Sequence, residues 1–174
     1  MEPSSTEKHW LSWGRRFFTG EALVRCVNRL FPAWNGKTEE PPDSDDHLLL
    51  GAWGERVAEK HLRRQGFKLL MRNFRDERGG EVDLVFRDRR LDELVFVEVK
   101  TRWISSEFIR PSDSVGESKR IRLTKGALAW LRLLKRTDIV ARFDVVEVVA
   151  VDPDGKTEIT HLRDAFPAPD PYIW

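Results

Sequence analysis

Two short stretches decide the fold: Glu81–Phe86, with the sequence EVDLVF, and Leu94–Thr101, with the sequence LVFVEVKT. Polar and apolar residues alternate in the first stretch, and β-branched and aromatic residues dominate the second, so both are predicted to be β-strands. The polar segment RDRRLD, residues 87–92, separates them and predicts a hairpin. Side chains two residues apart share a face of a strand, so Glu98 and Lys100 are expected to point to the same side.

The register of this hairpin predicts a pair of acids. If the hairpin is symmetric about Arg90 and Leu91, Asp83 lies directly across from Glu98. Two carboxylates that face each other between half-buried strands repel one another and lose hydration. They therefore require a compensating cation. A bound divalent metal ion would supply that charge, and the ammonium group of Lys100 would assist.

The remaining elements follow from the spacing of apolar residues and from the residues that end helices. Gly66 is a typical helix stop, and Val145–Val151 is a β-branched run. The predicted order is α-β-β-β-α-β-β, which indicates an α/β protein. Besides the two hairpin strands, the predicted elements are a helix over about 46–65, a strand over 67–74, a basic helix over about 114–136, a strand over 145–151 and, after a DPDG turn, a strand over 159–162.

The first predicted helix offers a third acid. On a helical wheel, Glu55 falls at the edge of the apolar face that begins with Leu50. Its neighbours on the wheel, Gly51, Gly54 and Ala58, are small enough to let the helix approach the sheet closely. A carboxylate at that border can reach the strand ends, and the alternative is an ordinary residue at the boundary of the core.

Length and composition limit the class of protein. The 174 residues fit one compact domain with an appendage. No apolar run approaches the roughly 20 residues that a bilayer-spanning helix needs, which excludes an integral membrane protein. Cys26 is the only cysteine, so neither an internal disulfide nor a cysteine-based zinc site is expected. A reducing, cytoplasmic location is therefore expected.

The composition changes along the chain and predicts three parts. Residues 36–47 combine prolines, glycine, serine and net negative charge, which is typical of a solvated linker. Residues 1–35 place apolar residues at three- and four-residue steps among arginines, which predicts an amphipathic helical extension. Its residues 8–31 are candidates for contact with a partner protein or an anionic membrane surface, and the alternative is that they pack on their own domain or fray. Residues 48–174 form the predicted main domain.

Spaced blocks of sequence resemble a known family. The blocks are Gly51-x-x-Gly54-Glu55, GEVDL at 80–84, VFVEVKTR at 95–102 and RFDVV at 142–146, followed by His161-Leu162 and Ala165-Phe166. In this order and spacing they resemble the YraN family of uncharacterised bacterial proteins. The resemblance covers roughly residues 48–166, and the first 47 residues match nothing in the family.

The resemblance implies both a fold and a set of site residues. The YraN family is regarded as similar to archaeal Holliday junction resolvases and to the PD-(D/E)xK nucleases, so it implies a restriction-endonuclease-like mixed sheet flanked by helices. Asp83, Glu98 and Lys100 would be the D, E and K of that signature, and Glu55 an additional helical acid. The chain departs from the signature at Val82, where the signature name has proline.

The implied activity is that of a metal-dependent endonuclease, which hydrolyses phosphodiester bonds in DNA. Branched or junction DNA in repair or recombination is one candidate substrate, and since junction-cleaving relatives act as dimers, a homodimer is one expected assembly. Carboxylates of Asp83, Glu98 and Glu55, with the Val99 carbonyl, suit Mg²⁺ or Mn²⁺. Lys100 would orient the nucleophile and stabilise charge on the phosphate. The alternative is a non-catalytic nucleic-acid-binding or scaffold protein, recruited through its N-terminal helix.

Basic residues near the proposed site are candidates for contact with nucleic acid, with DNA favoured over RNA. Such side chains neutralise phosphates without reading bases, so binding would be salt-sensitive and largely independent of sequence. The alternative is that they are merely solvated. The candidates are Arg72, Arg75, Arg102, Lys119, Arg122 and Lys125. Asp144 also belongs to a matched block, and a structural role is favoured for it.

Overall fold

The computed structural model of the protein describes residues 40–42, 46–103, 115–135, 139–150 and 157–170. The predicted N-terminal extension, most of the predicted linker and the DPDG turn lie outside these residues. In the described ranges, the elements are α1 His47–Arg64, β1 Lys68–Arg75, β2 Glu81–Asp88, β3 Glu93–Trp103, α2 Glu117–Leu134, β4 Ala141–Ala150 and β5 Glu158–Leu162. None of the helices in these ranges is long and apolar enough to cross a membrane. The predicted order α-β-β-β-α-β-β is confirmed.

The five described strands form one mixed sheet in the order β1-β2-β3-β4-β5. β3 and β4 are parallel, and every other neighbouring pair is antiparallel. Helix α2 lies in the crossover between the two parallel strands, as such a connection requires. The predicted fold class, an α/β protein with a mixed sheet flanked by helices, is confirmed.

Helix α1 begins and ends where the sequence predicts. The Asp46 side chain accepts a hydrogen bond from the Leu48 N–H at 2.8 Å and caps the first turn. At the other end, Gly66 has a φ of +94°, a left-handed conformation that glycine adopts without a steric penalty. Phe67 then donates to the Leu62 carbonyl at 3.2 Å, which closes a Schellman motif.

The strand β4 begins earlier than predicted. It starts at Ala141, four residues before the predicted start at Val145. The two charged residues in this stretch, Arg142 and Asp144, are both buried. They compensate one another because Arg142 Nε donates to Asp144 Oδ1 at 3.0 Å. The charges that interrupt the apolar pattern are therefore paired inside the strand.

Both faces of the sheet carry buried apolar residues. On one face, Leu84, Phe86, Val95 and Val97 form a core with the buried side of α1. Side chains alternate between the faces of a strand, so Phe96 lies on the other face. Its ring contacts that of Phe143, with centroids 6.0 Å apart. Phe143 in turn stacks on Phe166, and Arg120 of α2 lies 5.0 Å from the centre of that ring.

The hairpin of β2 and β3 has the predicted register, and its ladder ends at a defined point. The pairs run from Asp88 and Glu93 to Leu84 and Val97. Beyond Leu84, β2 continues in contact with β1 through Val82 and Glu81. Beyond Val97, β3 continues beside β4 as far as Trp103. We call this divergence of Glu81–Asp83 from Glu98–Trp103 the strand fork.

Glycines let both helices touch the strands at the fork. A Cβ atom on Gly54 would lie 1.8 Å from Thr101 Oγ1, so α1 rests directly on β3. A Cβ atom on Gly126 of α2 would lie 2.7 Å from Val82 Cγ2 and 3.0 Å from the Glu81 nitrogen. The expectation of a close approach is met at Gly54 and is wrong at Gly51, where an added Cβ would meet nothing within 4 Å.

The two helical glycines of α1 therefore form a matched pair of test positions. We expect Gly54→Ala to lower the free energy of unfolding by about 1–3 kcal/mol, because the new methyl group overpacks the contact with Thr101. Gly51→Ala should instead raise it by up to about 1 kcal/mol, because alanine favours a helix and has open space there. Urea denaturation of the full chain measures both. Equal effects of the two substitutions would contradict the close packing at Gly54.

Candidate functional site

The strand fork brings the two predicted acids together. Asp83 lies one residue beyond the last pair of the ladder, where its Oδ2 accepts a hydrogen bond from the Val99 N–H at 2.8 Å. The Asp83 carboxylate thus takes the place that a strand carbonyl would have in a continued ladder. Asp83 is 8% exposed and Glu98 is 2% exposed. The fork therefore holds two carboxyl groups almost out of contact with solvent.

Two lysines compensate these acids. Lys100 Nζ lies 3.0 Å from Glu98 Oε1. Lys119, from the first turn of α2, places its Nζ 3.1 Å from Glu98 Oε2 and 3.8 Å from Asp83 Oδ1. Its distance to Glu81 Oε2 is 3.9 Å. We call Asp83, Glu98, Lys100 and Lys119 the fork cluster.

One oxygen of the fork cluster is incompletely satisfied. The Lys119 ammonium lies 3.1 Å from the buried Glu98 Oε2, and no other described group donates a hydrogen bond to this atom. A buried carboxylate oxygen with so few donors costs free energy of desolvation. Such an oxygen retains an open acceptor position for a further cation or donor.

Burial changes the protonation of the fork cluster. Burial and the neighbouring charge of Glu98 raise the pKa of Asp83 from its ordinary 3.8 to about 7. The Lys119 ammonium and the Val99 N–H act in the opposite direction without cancelling that rise. Burial disfavours the charge on Lys119, but the carboxylates of Asp83 and Glu98 outweigh this effect and raise the pKa of Lys119. Lys119 is therefore firmly protonated.

The helical acid Glu55 also lies beside the cluster. Burial raises its pKa, and the charges of Lys119 and Glu98 are both near enough to act on it. Its side chain forms a hydrogen bond with Asn73. In the β1–β2 ladder, Arg72 pairs with Leu84 and Phe74 pairs with Val82. Asn73 therefore stands opposite Asp83, between the helical acid and the fork.

Asn73 is a site residue that the sequence analysis missed. It adopts a left-handed φ of 48° in the interior of β1. Asparagine tolerates this conformation better than most residues and is rare in strands. The single asparagine within the predicted strand 67–74 could have indicated an irregular backbone position. The apolar residues around it favoured a regular strand instead.

The six basic candidates fall into four groups. Arg72 makes two short hydrogen bonds to Glu59, at 2.6 and 2.7 Å, and Arg102 Nε lies 2.9 Å from Glu147 Oε1. Two arginines share Glu81 over longer distances and stay largely exposed. One of them is Arg75, which is 76% exposed and lies 3.5 Å from Glu81 Oε1; the other is Arg122, which is 52% exposed and lies 3.7 Å from Glu81 Oε2. Lys119 belongs to the fork cluster rather than to an open surface. Lys125 forms no ion pair with a described residue.

The residues around this site match a known protein family. A family model described as "Uncharacterised protein family UPF0102" matches residues 54–148, which include the C-terminal part of α1, all of α2 and the strand fork. The chain belongs to the UPF0102 family. This is the YraN family that the sequence blocks resemble, so the predicted family is confirmed.

Individual members of UPF0102 match about two thirds of the chain or more. A UPF0102 protein of Geobacter sulfurreducens is 42% identical over 123 residues, which cover 71% of this chain and 92% of the relative. One from Trichlorobacter lovleyi is 43% identical and covers 67% of this chain and 89% of the relative. One from Syntrophomonas wolfei is also 43% identical, with 67% and 96% covered.

The donor atoms of this UPF0102 site can be compared with the needs of a metal ion. Among the described residues, no group of three or more His, Cys, Asp and Glu side chains is arranged to hold a metal. The fork cluster offers two carboxylates, and apart from the Lys119 ammonium no described group donates a hydrogen bond to Glu98 Oε2. An oxygen-only donor set of this kind fits Mg²⁺ or Mn²⁺, which keep several waters and bind through one or two carboxylates.

Asp144, the acid of the RFDVV block, is fully buried in a separate network. Its Oδ1 accepts hydrogen bonds from Arg142 Nε at 3.0 Å and from the Asp164 N–H at 2.9 Å. His161 Nε2 lies 2.8 Å from Asp144 Oδ2. Arg142 continues this network to Asp88 at 3.1 Å. Because its two carboxylate oxygens are satisfied within the protein, Asp144 has the contacts of a structural residue that joins β4 to the segment after β5.

The raised pKa of Asp83 predicts how the stability of the metal-free protein depends on pH. The folded state binds the proton of Asp83 more tightly than the unfolded state does. Protonated Asp83 therefore contributes stability that is fully present below about pH 3.8 and is lost as the pH rises through about 7. Asp83→Asn removes the penalty and keeps an acceptor for the Val99 N–H. In EDTA, we expect the variant to be more stable than wild type at pH 8 by roughly 1–3 kcal/mol.

This advantage should shrink as the pH falls toward 5. Urea denaturation at several pH values measures it, and Glu158→Gln, at an exposed position of β5, serves as the control that should follow the wild-type curve. A wild-type protein more stable than Asp83→Asn at pH 8 would show that the buried carboxylate is ionised and well compensated.

Proposed function

We propose that the chain is a cytoplasmic, metal-dependent endonuclease that hydrolyses phosphodiester bonds in DNA. The single observation that carries this proposal is the pair of buried carboxylates at the strand fork, with a lysine at each side of Glu98. Placing two acids in a buried position raises the free energy of the fold. Such a cost is typical of a site that performs chemistry, because perturbed ionisable groups concentrate there.

Each group of the site has a role that its chemistry supports. Asp83 and Glu98 would hold the metal, with the Val99 carbonyl completing the protein ligands and Glu55 holding a water from the adjacent helix. A bound Mg²⁺ or Mn²⁺ would polarise the scissile phosphate and supply an activated water. Lys100 is 32% exposed and its Nζ lies 3.0 Å from Glu98 Oε1, so it would be placed to stabilise negative charge that develops on the phosphate.

The exposed cations around the fork suit contact with a nucleic acid backbone. Among the described residues, Arg75 and Arg122 form ion pairs with Glu81 alone, at 3.5 and 3.7 Å, and solvent-exposed pairs of this kind are worth little. Both can therefore turn toward phosphates at small cost, and Lys125 can do so from the same helix as Arg122. Arg72 and Arg102 are engaged by short contacts with carboxylates, and they serve the proposal better as residues that position the strands.

A second candidate function is supported by a different observation. The charge of the two acids is already compensated by Lys100 and Lys119 in the absence of metal, and no group of three ligand side chains exists in the described part of the chain. A non-catalytic protein that binds nucleic acid would need no more than this. In that case, the N-terminal segment, which lies outside the described residues, would recruit a partner.

Cleavage of DNA of defined shape tests the proposed activity. Labelled single-stranded, duplex and four-way-junction DNA are incubated with the full chain and Mg²⁺ or Mn²⁺, and in parallel with EDTA. We expect cutting only with metal, on at least one shape. Lys100→Ala should cut at least about 100-fold more slowly than wild type, because one preorganised charge at the reacting phosphate contributes that much to the rate.

Lys68→Ala is the matched control, since Lys68 is an exposed lysine that pairs with Arg87 at the far end of the sheet. It should cut like wild type. Cutting by Lys100→Ala at the wild-type rate would exclude the proposed site. Binding without cutting on all three shapes would favour the non-catalytic function, and the double variant Asp83→Asn, Glu98→Gln should then bind DNA as tightly as wild type or more tightly, because two negative charges are gone.

A further inference from the structure

The side chain of Lys119 occupies an unusual position for a helix lysine. Its Nζ lies within 4 Å of carboxylate oxygens from Glu81, Asp83 and Glu98, which come from two strands on either side of the fork. The side chain is 17% exposed, compared with 32% for Lys100. One compact positive charge among several carboxylates is the arrangement that a bound cation would have.

The two lysines of the fork cluster divide the oxygens of Glu98 between them. Lys100 contacts Oε1, at the more exposed side. Lys119 contacts Oε2 and also Asp83 Oδ1, so these two oxygens face a common point. They belong to the two carboxylates that would hold a divalent ion under the proposed function. Lys119 therefore stands between the acids, and Lys100 stands beside them.

The packing of α2 explains why Lys119 reaches this point. Gly126 lies seven residues after Lys119, which is about two helical turns, so both face the same side of the helix. At Gly126 the helix backbone touches the beginning of β2, because a Cβ atom on Gly80 would lie 2.5 Å from the Gly126 nitrogen. This contact holds α2 close to the fork, and the flexible lysine stem covers the remaining distance.

The charge of Lys119 opposes the binding of a divalent ion to the fork cluster. In the metal-free protein, the two carboxylates of the fork cluster face two ammonium groups. An added double positive charge in the same buried space would be repelled by Lys119 at short range. Because the lysine side chain has several rotatable bonds, its ammonium can leave the acids without a movement of the helix.

We propose that Lys119 is a resident counter-ion of the fork cluster, which holds Glu98 and Asp83 in the metal-free protein and is displaced from them by the divalent ion. This inference rests on the proposed metal-dependent function and assigns Lys119 a positioning role. Metal and lysine compete for the same oxygens. Removal of the lysine charge therefore strengthens metal binding and weakens the metal-free fold.

Calorimetric titration with Mn²⁺ compares wild type, Lys119→Met and the control Lys68→Met, all as full chains. We expect Lys119→Met to bind Mn²⁺ about tenfold more tightly than wild type or better, because the competing charge is gone. Lys68→Met should bind like wild type. In EDTA, Lys119→Met should have a lower Tm than wild type, and Mn²⁺ should raise that Tm by more than it raises the wild-type Tm. Equal or weaker Mn²⁺ binding by Lys119→Met would overturn the inference.

A second measurement uses the wild-type protein and does not depend on the folding of a variant. Amine acetylation followed by mass spectrometry reports how accessible each lysine is. We expect Mn²⁺ to increase the modification of Lys119 severalfold and to leave Lys68 unchanged. Unchanged or reduced modification of Lys119, in a protein that binds Mn²⁺, would overturn the inference while the proposed function stands. If neither wild type nor Lys119→Met binds Mn²⁺, both the inference and the metal-dependent function are wrong.

Discussion

The hydrogen bond from the Val99 N–H to the Asp83 carboxylate is the contact on which the site depends. It terminates the ladder of the central hairpin with a side chain instead of a backbone carbonyl. From that point β2 and β3 follow different neighbours, and the gap between them is lined by acids. The same bond fixes Asp83 in a buried position, where its pKa rises and where a cation is required. The chemistry proposed for the chain thus begins with a feature of strand pairing.

Around this contact, each helix contributes one charged side chain to the site. Helix α1 contributes Glu55 and rests on β3 through Gly54. Helix α2 contributes Lys119 and rests on the start of β2 through Gly126. The opposite end of the hairpin has a polar network of its own, in which Arg142 joins Asp88 and Asp144. The two networks differ in one physical respect: in the first, a buried carboxylate oxygen of Glu98 has only the Lys119 ammonium beside it among the described residues, whereas the second satisfies both oxygens of Asp144.

Much of the fold and part of the site could be predicted from the sequence, for reasons that are specific to the residues. The period-two pattern and the polar connection were enough to predict the hairpin register, which the ladder confirms. The helical wheel correctly put Glu55 at the border of the packed face. Lys119 could not be distinguished from its neighbours on a basic helix, because its role depends on how closely α2 approaches the fork. Asn73 was hidden by the apolar strand around it, and its left-handed backbone is not visible in a periodic pattern.

The close contacts at Gly54 and Gly126 have a consequence for how the molecule tolerates change. Each helix meets the fork at a glycine, with the Thr101 side chain against Gly54 and the main chain of Gly80 and Glu81 against Gly126. Substitutions among the apolar residues under the helices can therefore alter the free energy of unfolding while the acids and lysines keep their separation. A core substitution can thus change the stability of the fold and leave the geometry of the site intact. Substitution of Gly54 or Gly126 should change both.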